Sequence, residues 1–138
     1  MDFRLATRDD VPELGAMNAQ LLLDTNHHRK SMALDRLRER MAGWIAGEYQ
    51  AVIFSEGETT GYALFCRDED GLYLRQFFVK EPRRRQGLGR AAFAWLMSNP
   101  WKGESRIRLG VLSDNRAALD FWKAVGFSDY SVTLVREK

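Results

Sequence analysis

Apolar residues recur along this chain with two periods, and the switches between them divide it into elements. Phe3 and Leu5 alternate with polar neighbours and predict a short strand. Leu14, Met17 and Leu21 follow at helical spacing. Asp10 with Glu13 has the spacing of a capping box, and Pro12 falls in the first turn, where its missing N–H costs nothing. Asp24-Thr25-Asn26-His27-His28-Arg29-Lys30 is polar and reads as a loop. Ser31 is placed to cap a second helix carrying Leu34, Leu37, Met41, Trp44 and Ile45 and ending near Gly47. Three strand-like runs come next, Tyr49 to Ser55, Thr60 to Arg67 and Leu72 to Val79. Glu56-Gly57-Glu58 and Asp70-Gly71 separate them as turns, so they predict an antiparallel meander. Leu88, Ala91, Ala92, Trp95 and Leu96 then form a helical stripe, stopped by Ser98-Asn99-Pro100. Ile107, Leu109 and Val111 alternate as a strand. Asn115 can cap a last helix with Ala118, Phe121, Trp122 and Val125 on one face and Gly126 at its end. Tyr130, Val132 and Leu134 predict a final strand.

With 138 residues, 45% hydrophobic and 29% charged, the chain suits a single globular domain over 1–138 rather than a disordered segment. No apolar run is long enough to cross a bilayer, and Met1-Asp2-Phe3-Arg4 does not open a secretory signal, so a cytoplasmic protein without membrane contact is expected. The lone Cys66 has no disulfide partner and reads as a small hydrophobe. No metal site is expected: adjacent histidines chelate poorly, and Asp24 is the only close oxygen ligand.

Twenty-one basic residues against 19 acidic ones leave a net charge of +2, which excludes a globally cationic nucleic-acid binder. The basic residues are nevertheless concentrated locally. Lys80, Arg83, Arg84, Arg85 and Arg90 crowd around Gly87-Leu88-Gly89, between a strand and a helix. Helix N-termini present unpaired N–H groups and partial positive charge, glycines admit close backbone approach, and arginines add charged donors. The segment therefore reads as a cradle for phosphate or pyrophosphate. It also fits the dinucleotide pattern G-x-G-x-x-A, but a long basic loop intervenes after the strand, and hairpins rather than a βαβ unit precede it. No Gly-Lys-Ser/Thr follows, which excludes a P-loop. No aromatic platform accompanies the arginines, so no nucleic-acid partner is expected.

Arg84-Arg85-Gln86-Gly87-Leu88-Gly89 resembles the R/Q-x-x-G-x-G/A acyl-CoA-binding motif of the GNAT superfamily, the GCN5-related N-acetyltransferases. Asn115-Arg116-Ala117-Ala118-Leu119-Asp120-Phe121-Trp122-Lys123-Ala124-Val125-Gly126-Phe127 resembles that family's second motif, N-x-x-A-x-x-F-Y-x-x-x-G-F. The element order fits the same family over the whole chain. The resemblance implies an α+β fold: a mixed, mostly antiparallel sheet, splayed in the middle and flanked by about four helices. It implies acetyl-CoA as co-substrate and direct attack by an amine acceptor. Small amines, aminoglycoside-like antibiotics, amino acids and protein N-termini or lysines all stay open as that acceptor, a small molecule being favoured over a protein. Homodimers are common in the family, so one is an open expectation here. By the same resemblance Arg85, Gln86, Gly87, Leu88, Gly89 and Arg90 hold the CoA pyrophosphate, with Arg84 beside them. Phe78 and Val79 pair with the pantetheine arm, a backbone N–H at Phe77 or Phe78 polarises the thioester carbonyl, and Asn115 reaches the cofactor from across the splay.

Two departures touch the chemistry. Trp122 stands where the family often has a tyrosine that protonates the leaving thiolate, and an indole N–H is not a usable acid. Tyr130 is the nearby phenol that could substitute, although it also fits ordinary strand packing. No carboxylate lies on Leu72-Tyr73-Leu74-Arg75-Gln76-Phe77-Phe78, where some members carry a general base. The loop after the first helix offers His27, with Asp24 to orient it, although that loop also reads as plain polar surface. A non-catalytic acyl-CoA-binding or sensing module is the alternative these departures raise.

Overall fold

The strand runs pair as their alternation requires. In the computed structural model, which describes residues 1–25, 32–84 and 86–138, β1 (Asp2–Leu5), β2 (Gln50–Glu56), β3 (Glu58–Asp68), β4 (Gly71–Val79) and β5 (Ile107–Arg108) form one sheet in chain order. The first four strands are antiparallel neighbours, and β5 lies parallel to β4. Four helices flank the sheet: α1 (Val11–Thr25), α2 (Leu34–Ala46), α3 (Leu88–Ser98) and α4 (Arg116–Ala124). The architecture is the α+β arrangement expected from the sequence.

Strand alternation sends successive side chains to opposite faces, so the sheet carries two cores. Ala51, Ile53, Tyr62, Leu64 and Phe78 pack with Val11, Leu14 and Met17 of α1 and Met41 of α2. Val52, Phe54, Ala63, Phe65, Leu72 and Leu74 face the other way, against Ala92, Phe93 and Leu96 of α3 and Trp122 of α4. Trp101, in the connection after α3, fills this second core at 1% exposure, edge-on to Phe65 and Phe93. Hydrophobic periodicity had not placed it in any element.

Two register shifts interrupt the meander. Phe54 pairs with Gly61 and Ser55 with Thr59, so Thr60 is the extra residue of β3. Leu64 pairs with Gln76 and Phe65 with Leu74, so Arg75 is the extra residue of β4. A bulge switches the faces of everything beyond it. Leu72 and Leu74 point to the α3 side before it; after it Phe77 takes that side, and Gln76 and Phe78 point toward α1 and α2. Burial pushes the Tyr62 phenol far above its ordinary range, and its hydroxyl donates to Gln76 Oε1 at 2.7 Å.

The α1 cap lies one turn earlier than the sequence spacing suggested. Arg8–Asp10 is a 3₁₀ turn running straight into α1, and the Thr7 N–H donates to Asp10 Oδ2 at 2.8 Å. Glu13 accepts from the Thr59 hydroxyl instead of serving the cap. Ala33 precedes α2, and the expected cap Ser31 lies outside the described residues. The larger correction concerns the last strand. Residues after Phe127 join no sheet, and Tyr130, Val132 and Leu134 are 73%, 82% and 88% exposed.

Candidate active site

The candidate site forms where β4 and β5 part. Only Leu72↔Ile107 and Tyr73↔Arg108 are paired, so from Leu74 to Val79 the β4 edge facing β5 has no partner strand among the described residues. Backbone groups alternate along a strand. The Lys80 N–H donates to the Thr60 carbonyl on the β3 side at 2.8 Å. Phe78 therefore also faces β3, and the amides of Phe77 and Val79 face the opening. Tyr62 and Ala63 pair with Phe78 and Phe77 on the closed side.

Beyond Val79 the chain makes a 3₁₀ turn, Glu81–Arg83, and reaches α3 through Gln86 and Gly87. Gly87 takes φ of +77°, a left-handed conformation costly to other residues, and a Cβ there would meet nothing within 4 Å. The first α3 hydrogen bond runs from the Ala91 N–H to the Gly87 carbonyl. The N–H groups of Leu88, Gly89 and Arg90 precede any helical acceptor and make the positive end of the helix. A Cβ at Gly89 would lie 3.4 Å from the Phe121 ring and 3.8 Å from that of Phe77. Both are ordinary van der Waals distances, so packing does not demand glycine here, and its absent side chain leaves the helix start bare.

The floor of the opening is aromatic. Phe77 stacks on Phe121 at 6.1 Å and meets Trp122 edge-on at 5.1 Å, and Trp122 also contacts Phe93 and Phe127. Trp122 is a core residue, 9% exposed. Asn115 caps α4, its Oδ1 accepting from the Ala118 N–H at 3.2 Å.

The basic residues divide by what they hold. Arg84 donates through Nε to the Val79 carbonyl at 2.7 Å and through Nη2 to Asp24 Oδ2 at 2.5 Å, tying the end of α1 to the end of β4. Arg83 is engaged with Glu56 at 2.5 Å. Among the described residues neither Lys80 nor Arg90 has a carboxylate partner within ion-pair distance. Arg85 and His27 lie outside the described residues.

Asp24, expected to orient His27, is thus occupied by Arg84 and also accepts from Gln20 Nε2 at 2.9 Å. The structure does not bring Tyr130 to this end of the sheet. Its ring sits under the Arg106 guanidinium, 4.5 Å away, next to the Ile107–Leu72 pairing. Strand rise puts that end of β4 roughly 25 Å from Val79. Phe77, Val79, Gln86, Gly87, Leu88, Gly89 and Arg90 do assemble around the opening, whereas Phe78, expected to pair with the pantetheine arm, turns its backbone to β3 and its ring to the α1 side because strand groups alternate.

A cleft of about 410 Å³ lies beside the end of β4 on the α1 side, lined by Glu13, Ala16, Met17 and Gln20 of α1 and by Phe78, Lys80, Glu81 and Pro82. The sequence reading missed Glu13 and Gln20 here. The i, i+3, i+4, i+7 spacing of 13, 16, 17 and 20 marks one helix face, but only the fold shows which strand end it meets. Among the described residues no cluster of His, Cys, Asp and Glu is arranged to hold a metal ion.

A family profile described as the acetyltransferase (GNAT) family matches residues 17–127. No curated protein sequence matches the chain significantly. Solved structures resemble it over nearly its full length. A tetramutant of the BH1408 protein from Bacillus halodurans superposes with a TM-score of 0.85 at 19% identity, covering 100% of both chains. The ribosomal-protein-alanine N-acetyltransferase of Brucella melitensis gives 0.76 at 14% identity, with 99% of each chain covered. The aminoglycoside N-acetyltransferase AAC(6')-Iy, in complex with CoA, gives 0.76 at 15% identity, covering 99% of this chain and 93% of that one. At these identities the likeness establishes a shared fold.

Proposed function

Since the chain belongs to the acetyltransferase (GNAT) family, we propose that it is an N-acetyltransferase, moving an acetyl group from acetyl-CoA to a primary amine by direct attack in a ternary complex. The observation that carries this reading is the open β4 edge running into a glycine-capped helix N-terminus. A polyamide arm can add to such an edge as a strand does, and a pyrophosphate suits the free amides at its end. The fit is supported by Gly87, where no side chain intrudes, and by Lys80 and Arg90, whose charge is not spent on carboxylates.

Bound acetyl-CoA supplies an activated thioester carbonyl. In this reading the amides of Leu88, Gly89 and Arg90, with Arg85, Gln86 and Gly87 ahead of them, hold the pyrophosphate. The backbone of Phe77 and Val79 orients the pantetheine amides, and the Phe77 N–H donates to the carbonyl oxygen as negative charge develops there. Phe77 and Phe121 close the floor and exclude water. Asn115 approaches from across the opening. Arg84 acts indirectly, by holding the Val79 carbonyl and Asp24.

The acceptor enters through the cleft, whose volume suits a small molecule, and Glu13 and Glu81 provide charge complementary to a protonated amine. His27 remains the proposed proton acceptor, without Asp24, whose carboxylate is held by Arg84 and Gln20. A cytoplasmic location belongs to the same reading; no helix among the described residues is long and apolar enough to cross a membrane.

Trp122 favours a second reading. It is locked in the aromatic core where a phenol would serve the leaving thiolate, and β4 carries no carboxylate, so binding of acyl-CoA without turnover is the alternative. One experiment separates them: calorimetric titration with CoA, followed by release of free thiol from acetyl-CoA against a diverse amine panel. Binding with amine-dependent thiol release supports transfer, and binding without release supports the module. Absence of CoA binding overturns both.

A further inference from the structure

Two guanidiniums share one aromatic ring on the α2 side of the sheet. Arg40 lies 4.5 Å from the Trp44 centroid, and Arg75 lies 4.7 Å from it. Among the described residues neither has a carboxylate within ion-pair distance. Residues 26–31, outside the described ones, include no Asp or Glu in their sequence. One guanidinium on a tryptophan is ordinary packing. A second brings like charges together with no side chain to balance them. Burial first, and then the charge of Arg75, holds the Arg40 guanidinium below its ordinary range. Arg40 Nη2 donates to Asn18 Oδ1 at 3.1 Å, but the buried Arg40 Nε has no partner. Nor does Nδ2 of Asn18, a residue with 0% exposure. Arg75 Nη1 reaches the Tyr49 hydroxyl at 3.3 Å. The cluster is rich in donors and, among the described residues, meets no side chain of opposite charge.

Its position ties it to the opening rather than to the pyrophosphate cradle. Trp44 packs against the core on the α1 and α2 face, whereas α3 covers the other face. Arg75 is the extra residue of the β4 bulge, inside the stretch whose edge has no partner strand among the described residues. Strand rise puts it roughly 7 Å from Phe77, whose amide faces that opening. Beside it Gln76 accepts from Tyr62, whose ring packs on Phe78, a wall of the α1-side cleft. That cleft carries Glu13 and Glu81. Glu13 bonds Thr59, so it and Arg75 lie on opposite sides of the Tyr62–Phe78 pair along the strands.

We propose, resting on the transfer reading, that the acceptor is an amine of the amino-acid class, its carboxylate held by Arg40 and Arg75 while its nitrogen meets the thioester at Phe77. Planar guanidinium forks take a carboxylate through paired, charge-assisted hydrogen bonds. The carboxylate balances the two like charges at Trp44, and Glu13 and Glu81 attract the protonated amine. In the transfer itself the neutral amine nitrogen bonds the acetyl carbon and the C–S bond breaks. The proton shed by the nitrogen ends on the thiol of CoA, and the carboxylate is unchanged. The same arginines repel polycations, so polyamines and aminoglycosides are poor acceptors.

Matched acceptors test this: free amino acids, the corresponding carboxamides and spermidine, assayed for thiol release from acetyl-CoA. The free acids should be favoured in kcat/KM by roughly 10- to 100-fold, expressed mainly in KM. In Arg75→Gln and in Arg40→Gln the acid-to-amide ratio should fall toward one, and Arg75→Lys should recover part of it. Circular dichroism checks that each variant is folded. Calorimetric titration of the same compounds into the CoA-saturated protein reads the subsite without turnover. Acid and amide bound and used alike, a preference for spermidine, or a ratio that survives both glutamines would each overturn the proposal. A protein that binds the acid through these arginines and releases no thiol keeps the subsite and loses the transfer reading. Thiol release to amides as readily as to acids does the reverse.

Discussion

A methyl group added at Gly61 would sit 2.0 Å from the Phe78 carbonyl oxygen and 3.1 Å from the Phe54 ring. That backbone oxygen is fixed by the β3–β4 pairing, so Gly61→Ala forces the two strands apart at the Val79 end of the opening. The expected cost is about 1–3 kcal/mol in urea denaturation, with CoA affinity falling as Phe77 and Val79 shift. Unchanged affinity in the folded variant would detach the site from the end of β4. Gly87 differs in kind: it has space but left-handed φ, so Gly87→Ala should cost about 1–2 kcal/mol through backbone strain. Tyr130→Phe checks the geometry against the sequence expectation. With the phenol exposed at the far end of β4, turnover should stay at the parent level. A loss of about 100-fold or more would restore its role as the acid.

At the scale of elements, polar connections decide how helices meet strands. The Arg4 guanidinium, through its hydrogen bonds, holds the Asp10 carboxyl below its ordinary value of 3.8, and the Thr7 N–H adds to this. A depressed folded-state pKa contributes stability that is present above the unfolded value and lost as pH falls through the folded one. The melting temperature should therefore decline below about pH 4, and Asp10→Asn should flatten that limb while lowering the neutral-pH value slightly. Arg84 is tested by its partner. If it acts by tying α1 to β4, Asp24→Asn and Arg84→Ala should weaken CoA binding alike and the double variant no further. Weakening by Arg84→Ala alone would assign its effect to the Val79 carbonyl or to the anion itself rather than to the α1 tie. The helices and the meander were legible because periodicity reports which face is buried. The Arg75 bulge and the Glu13–Thr59 bond were not, since each depends on how two distant segments meet, while the Thr7–Asp10 cap is local and competes with the equally spaced Asp10–Glu13 pair. The expected final strand failed for a different reason: alternation reports a tendency to pair, and residues 130–134 stand exposed without joining the sheet.

The whole molecule is a sheet with a core on each face, and β2, β3 and β4 each contribute side chains to both. Glycine-loop chemistry was readable in the sequence because backbone amides need only a helix start and missing side chains. The acceptor cleft was not, because Glu13 and Glu81 converge only when α1 is laid against the end of β4. This division predicts where ligand stabilisation appears. CoA at about 100 times its dissociation constant stabilises the folded state by about 2.7 kcal/mol, or roughly 10 °C for a domain of this size. Hydrogen exchange should then slow at the amides of Phe77, Val79, Leu88, Gly89 and Arg90, which face the opening or begin α3. Thermal stabilisation without protection at Phe77 and Val79 would place the ligand somewhere other than the open edge.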